Sequence, residues 1–205
     1  MKAEINWNFT QSLPKDTEEE KHLRLLSEEL YIQSICPAIG AHIKTQVAAL
    51  PAPQVLEIGT GIGLSALKMV SVNGKAHITT IEVNPDFYNR AKNNLTNYFS
   101  CLRFINSNAL EVIPRMNRNM YDLVLIDANP RDVLNYFELA LGVVKSGGAI
   151  LVPHALWQGK VASPVYKDEP EISFRALIHE VVNSETFVSC LSPIGDGILT
   201  VTKPK

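Results

Sequence analysis

From residue 54 onward, short apolar runs recur along the chain: "QVLEI", "HITTIE", "LRFIN", "DLVLID" and "AILV". Longer segments that mix polar and apolar residues separate them. Runs of this kind, alternating with helical segments, predict parallel strands joined by right-handed helical crossovers. The end of the chain breaks the rhythm. "TFVSCL", "SPIGDG" and "ILTVT" predict two strands joined by a short glycine-containing turn, one of them antiparallel to the rest. Upstream, "PKDT" and the glutamates after it predict a helix capped by Asp16 or Thr17, with Leu23, Leu26 and Leu30 on its apolar face. A second helix is expected from about Ala38 to Leu50, stopped by "LPAP". The pattern is that of an α/β fold, a mostly parallel sheet with helices on both faces.

Ligands of such sheets bind beyond the carboxyl ends of the strands. The polar residues expected there are Glu57, Glu82, Asn106, Asp127 and His154. "VLEIGTGIGLSAL" places Glu57 near the end of the first strand and Gly59, Gly61 and Gly63 in the turn before a helix. Glycines let the backbone take positive φ and approach a ligand, and a helix start offers free N–H groups to an anion. The third glycine of a dinucleotide fingerprint is replaced by Leu64, and Glu57 would repel a pyrophosphate. Glu57 suits an ammonium or sulfonium instead, and Glu82 is placed to accept from ribose hydroxyls. A cation, a carboxylate at a helix start and a ribose together describe S-adenosylmethionine. The alternative is a packing turn flanked by solvated carboxylates; the agreement of the loop with both acids favours the cofactor.

Composition narrows the partners. Of 205 residues 46% are hydrophobic and 20% charged, with a net charge of -2, the balance of an ordinary globular domain. No dense Lys/Arg run exists, so nucleic acid is not an expected partner. Cys36, Cys101 and Cys190 are far apart and form no CxxC or Cys/His spacing, which argues against a disulfide frame and a zinc site. The first residues have no apolar signal region, and no stretch approaches membrane-spanning length. A cytoplasmic protein without membrane contact is expected.

Seven stretches carry a resemblance: "CPAIGAHI", "VLEIGTGIGLSAL", "ITTIEVNPDFYNRAKNNL", "NALEVIP", "YDLVLIDANP", "ALWQGKVASP" and "SPIGDGILTV". In this order the chain resembles the catechol and caffeoyl-CoA type O-methyltransferases, especially their small bacterial members. The resemblance implies a class I methyltransferase (Rossmann-like) fold, seven-stranded with one antiparallel strand, that binds S-adenosylmethionine. It implies that Glu57, Gly59, Gly61 and Ser65, with Thr60 in the same loop, hold the methionine part. Glu82 is then expected at the ribose, Val83, Asn108 and Ala109 at the adenine, and Asp127 by the methionine part. Ile35 sits where the family closes over the cofactor. A single domain over residues 1–205 is expected, with 1–50 as a helical extension covering the site, and a homodimer.

The pattern breaks on the acceptor side. Enzymes of this type hold a divalent ion with an Asp ending the fourth strand and an Asp-Asn pair after the fifth, and a Lys three positions after the first Asp assists deprotonation. Here Asp127 is present, but the pair is Pro153-His154 and the Lys position is Pro130. Proline supplies no ligand, and Mg²⁺ wants hard oxygen donors. No metal is expected. His154 is then a general base oriented by Asp127, a structural residue bonded to Asp127, or a ligand of a softer ion. Asn129, Pro130, His154 and Trp157 are the acceptor-side candidates, Trp157 being either a substrate wall or a packing anchor. His22 and His179 are expected in solvent, His42 and His77 partly buried, and Cys36 in the core. The leading function is methylation of a small molecule, on oxygen. A cofactor-binding protein without catalysis is one alternative, and a methyltransferase acting on nitrogen or a macromolecule is another.

Overall fold

The apolar runs become strands because their residues are covered on both faces. In the computed structural model, which describes residues 2–204, they are β1 (Gln54–Ile58), β2 (His77–Glu82), β3 (Leu102–Asn106), β4 (Tyr121–Ile126) and β5 (Val144–Pro153). The terminal hairpin supplies β6 (Val188–Ser192) and β7 (Ile198–Thr202). The helices are α1 (Lys2–Ser12), α2 (Glu18–Glu29), α3 (Pro37–Ala48) and α4 (Leu64–Val72), followed by α5 (Pro85–Asn94), α6 (Ala109–Val112), α7 (Val133–Val143) and α8 (Glu169–Val182). All seven strands form one sheet in the order β3-β2-β1-β4-β5-β7-β6. β1 to β5 run parallel, and β7 is antiparallel to both β5 and β6. The order reverses between β1 and β4, the switch point at which such sheets open a cleft.

Strand periodicity divides the core in two. Leu56 and Ile58 pack with Val124, Ile126, Phe137 and Leu177 on one face. Val55 packs with Leu123, Leu125, Ile39, Ile43 and Leu67 on the other. Helices thus cover both faces, as the alternation implies. Among the described residues no helix is long and apolar enough to cross a membrane.

Thr17, not Asp16, caps α2. Its hydroxyl accepts from the Glu20 N–H at 3.3 Å and its N–H donates to Glu20 Oε2 at 3.0 Å, a reciprocal capping box. On the apolar face of α2 only Leu23 is fully buried, while Leu26 and Leu30 are half-buried. What attaches α2 is ionic. Lys68 of α4, 2% exposed, reaches Asp16 Oδ1 at 2.6 Å and Glu20 Oε2 at 3.0 Å. Lys44 holds the other Glu20 oxygen at 3.0 Å, and Arg24 holds Asp16 Oδ2 at 2.6 Å. Gly40 makes room, since a Cβ there would lie 2.7 Å from the Lys68 stem. Burial pushes the carboxyls of Asp16 and Glu20 up. For Asp16 the hydrogen bonds from Arg24 and Lys68 outweigh it, and for Glu20 those from Thr17, Lys44 and Lys68, so both end below the ordinary carboxylate values.

Helix α1 is not signalled by the sequence pattern. It hangs on the β6–β7 turn through Trp7 Nε1 donating to the Pro193 carbonyl at 2.8 Å and Gln11 Oε1 accepting from Gly195 N–H at 2.9 Å. Its Ile5 and Phe9 remain exposed.

Lys68→Met should destabilise the fold by about 3–5 kcal/mol, because it leaves two buried carboxylates short of a cation. Urea denaturation with linear extrapolation measures the loss. A change below about 1 kcal/mol would mean that Lys44 and Arg24 suffice to balance the pair.

Candidate active site

Gly59, Gly61 and Gly63 have φ of 95°, 53° and 101°, left-handed values at which a side chain is strained. They differ in what surrounds them. A Cβ on Gly59 would lie 1.9 Å from the Asp127 carbonyl oxygen, so this glycine lets the ends of β1 and β4 lie side by side. A Cβ on Gly61 would meet only Ile32, at 3.7 Å. Gly61 is the position open to a ligand.

Glu57 lies behind this loop, not in front of it. It is 0% exposed, and its two oxygens accept from Ser65 Oγ and Thr80 Oγ1, each at 2.5 Å. Thr60 Oγ1 continues the chain to Thr80. Glu57 does not line the cavity, which departs from its expected direct contact with the methionine part. The reason is local: the buried strand end and two neighbouring hydroxyls enclose the carboxylate. Burial, less the two hydroxyl bonds but aided by the charges of Asp127 and Glu82, raises its pKa to about 7.

Glu82, at the end of β2, accepts from the N–H groups of Gly61 at 2.8 Å and Asn84 at 2.9 Å. It does line the cavity, as do Gly59, Gly61, Val83, Asn108 and Ala109. Asn106 instead donates to the Glu82 carbonyl at 2.7 Å and ties β3 to β2. Thr60, Ser65 and Ile35 line a narrow crevice of about 50 Å³ behind the loop, together with Asp127.

The main cavity has a volume of about 480 Å³, within the range of small-molecule sites. Beyond the cofactor-side residues it is walled by Asp127, Asn129, Pro130, His154 and Trp157. Sequence reasoning missed Gln33, Asp132, Tyr136 and Phe174, which also line it. Trp157 and Phe174 pair their rings at 5.6 Å between centroids, so Trp157 is both anchor and wall. Among the described residues no lysine or arginine lines the cavity.

His154 closes the end of β5 with a φ of +59° and is buried. Its Nε2 lies 3.8 Å from Asp127 Oδ1, too far for a hydrogen bond, and is buried without a bonded partner. The expected bond between them is therefore absent. The nearer carboxylate is Asp196, in the β6–β7 turn, with Oδ2 3.4 Å from Nδ1. Gln33 Nε2 lies 3.2 Å from the same Nδ1. The strand register explains Asp196: Ile198 pairs with Pro153 in antiparallel sense, which brings the turn before β7 against the residues after β5. Burial alone would lower the His154 pKa, but Asp196 and Asp127 outweigh it and raise it. Burial raises the Asp127 pKa, with His154 opposing.

A divalent ion does not fit these residues. Pro153 has no donor, and among the described residues no group of three or more His, Cys, Asp or Glu could hold a metal. One imidazole between two carboxylates, Asp127 on its Nε2 side and Asp196 on its Nδ1 side, is no oxygen octahedron. Of the other histidines, His22, His77 and His179 are exposed and His42 is half-buried. His77 thus lies further out than expected. Cys36 is half-buried against the core.

The family model of O-methyltransferases matches residues 15–204. The chain belongs to the O-methyltransferase family. A Mycobacterium marinum protein assigned as an O-methyltransferase is 30% identical over 179 residues, 85% of this chain and 80% of that one. A Corynebacterium glutamicum structure superposes with a TM-score of 0.88 at 21% identity, covering 100% of this chain and 98% of the other. The Streptomyces achromogenes O-methyltransferase TomG, solved in complex with S-adenosylmethionine, gives 0.82 at 20% identity over 98% and 96%. The fold is that of class I methyltransferases. Membership in the family makes S-adenosylmethionine the methyl donor, and the open Gly61 and the acid at the end of β2 fit it.

The raised pKa of Glu57 gives stability a definite pH dependence. The folded protein keeps a proton on Glu57 up to about 7 that the unfolded chain releases near 4.5. Its contribution is therefore greatest at the acid end of that window and falls as pH rises through it. Glu57→Gln, neutral at every pH, should remove this decline, worth on the order of 3 kcal/mol across the window. Denaturation midpoints of both proteins at several pH values measure it. Parallel profiles would show that Glu57 ionises normally.

Proposed function

We propose that this O-methyltransferase methylates a hydroxyl of a small molecule without a divalent ion, with His154 as the base. One observation carries the reading. His154 lines the cavity that the glycine loop and Glu82 also line, and its Nε2 is a buried ring nitrogen without a bonded partner. When bound, S-adenosylmethionine supplies a methyl group on a positively charged sulfur.

Gly59 and Gly61 hold its methionine part, with Thr60, Ser65 and Ile35 closing the crevice behind. Glu82 takes the ribose, Val83, Asn108 and Ala109 border the adenine, and Asp127 faces the methionine end. Glu57 acts indirectly, by fixing Ser65 and Thr80. On the acceptor side Trp157, Asn129 and Pro130, joined by Tyr136 and Phe174, shape the pocket and exclude water. His154 Nε2 takes the hydroxyl proton as the acceptor oxygen gains its methyl group. Residues 1–205 act as one domain, and 1–50 cover the site by placing Ile32 and Gln33 over the cavity. A homodimer in the cytoplasm completes the reading. Three free thiols suit a reducing compartment, and the exposed Ile5 and Phe9 of α1 suit a partner surface. Sedimentation of the purified protein as a monomer would remove the dimer.

Calorimetry should show wild-type protein binding S-adenosylhomocysteine and Glu82→Ala binding it more weakly by about 1–3 kcal/mol. No binding by the wild type would end this reading. A screen of phenols, hydroxy acids and amines, read by product mass, should return a hydroxyl acceptor.

With that acceptor, His154→Gln should lower turnover by about 10²–10⁴-fold and keep cofactor affinity. Turnover of the wild type should rise with pH, because the base works neutral. Asp127 and Asp196 raise its pKa, so the rise lies above the ordinary imidazole value of about 6.5. EDTA should change nothing; loss of activity restored by Mg²⁺ would sink the metal-free mechanism.

A further inference from the structure

We infer that Asp196 is a positioning residue that fixes the proton of His154 on Nδ1 and so leaves the lone pair on Nε2. The inference rests on His154 being the base but concerns a different residue and a different observable.

The turn that follows β5 is strained. His154, Trp157 and Gln158 take φ of 59°, 44° and 56°, and Gly159 follows at 78°. Non-glycine residues hold such values only where their surroundings impose them. The β6–β7 turn does so at three backbone points. The Gly197 carbonyl accepts from Ala155 N–H at 3.1 Å, the Asp196 carbonyl accepts from Leu156 N–H at 2.9 Å, and Asp196 Oδ1 accepts from Gln158 N–H. Gly197 permits the close approach, since a Cβ there would lie 2.5 Å from Leu156 Cγ.

With Oδ1 committed to a backbone donor, the other oxygen is aimed. Asp196 Oδ2 is buried, has no bonded partner and lies 3.4 Å from His154 Nδ1. A carboxylate oxygen can only accept, so closing this contact requires the proton on Nδ1. The groups facing the ring are Asp196 from the hairpin, Asp127 from the end of β4 and Gln33 from the segment between α2 and α3. Asp127 is 3.8 Å from the other nitrogen and selects nothing by hydrogen bonding. Gln33, 3.2 Å from Nδ1, adapts, because turning its amide about χ3 exchanges donor for acceptor. Asp196 cannot turn without releasing Gln158. The tautomer follows the partner that cannot adapt.

The test is nitrogen NMR on protein with labelled histidines, where pyrrole-type and pyridine-type ring nitrogens resonate far apart. Of the five histidines, the one missing from His154→Gln is His154. In the neutral ring of the wild type, Nδ1 should be pyrrole-type and Nε2 pyridine-type. The reverse would overturn the inference without any variant. In Asp196→Asn the amide oxygen must stay on Gln158 N–H, so the NH₂ faces Nδ1 and donates. The proton should then move to Nε2, and kcat should fall by about 10²–10⁴-fold with little change in the KM for S-adenosylmethionine. An unchanged tautomer in Asp196→Asn would overturn the role, as would a switch in Gln33→Leu. The spectra need no acceptor. An empty acceptor screen therefore counts against His154 as base, whereas a wrong tautomer counts against Asp196.

Discussion

A single buried ammonium joins the two halves of the molecule on which the site depends. Lys68 projects from α4, the helix that the glycine loop opens, and meets Asp16 and Glu20 of the N-terminal segment. Asp16 in turn holds Arg24, whose Nη1 donates to the Ile35 carbonyl at 2.5 Å. That carbonyl belongs to the stretch that brings Gln33 beside His154. Cofactor loop and cover are thus braced by the same charges. The desolvation cost of burying Lys68 is large, and only two carboxylates, each with a further cation, offset it. Removing Lys68 leaves each buried carboxylate with one cation in place of two, so the members of the cluster are coupled.

Charge sets the character of the cavity as well. Glu82, Asp127 and Asp132 line it and Glu57 and Asp196 stand behind its walls, while among the described residues no lysine or arginine lines it. Burial therefore raises the pKa of Glu57, to about 7, and raises that of Asp127, where His154 opposes it. A ligand carrying a sulfonium and an ammonium reverses that balance, because a nearby cation favours the charged carboxylate. Cofactor affinity and the protonation of these acids are coupled, and the same field disfavours anionic acceptors.

The elements that rest on periodicity were legible in the sequence: the strands, the terminal hairpin and the glycine turn with Glu82 at the next strand end. What depends on a side chain's direction was not. Glu18, Glu19 and Glu20 read alike as acids at a helix start, yet only Glu20 turns inward to Lys68. Glu57 reads as a ligand at a strand end, but its hydroxyl partners come from α4 and β2 and turn it away from the cavity. His154 was placed at the strand tip, while its orienting partner was not. Asp196 lies in a turn far along the chain, and only the pairing of β5 with β7 brings it near. Helix α1 has no strong apolar period and is held by Trp7 and Gln11 from outside.

A base in place of a metal, as proposed for His154, would change which hydroxyls can react. A metal acts as a Lewis acid and lowers the acceptor's own pKa, whereas a base only receives the proton. Proton transfer to an imidazole of pKa about 6.5 from a phenol of about 10 costs about 5 kcal/mol, a load that a positioned base can carry. From an alcohol, whose pKa lies far above that of a phenol, the same transfer costs several kcal/mol more. The carboxylates around His154 raise its pKa and narrow both gaps by the same amount. They leave the difference between the two acceptors intact. The aromatic pair of Trp157 and Phe174 flanks the same pocket, a surface on which a planar ring packs well. If His154 is the base, as proposed, electrostatics and shape would select together for an acidic hydroxyl on an uncharged aromatic ring over a simple alcohol.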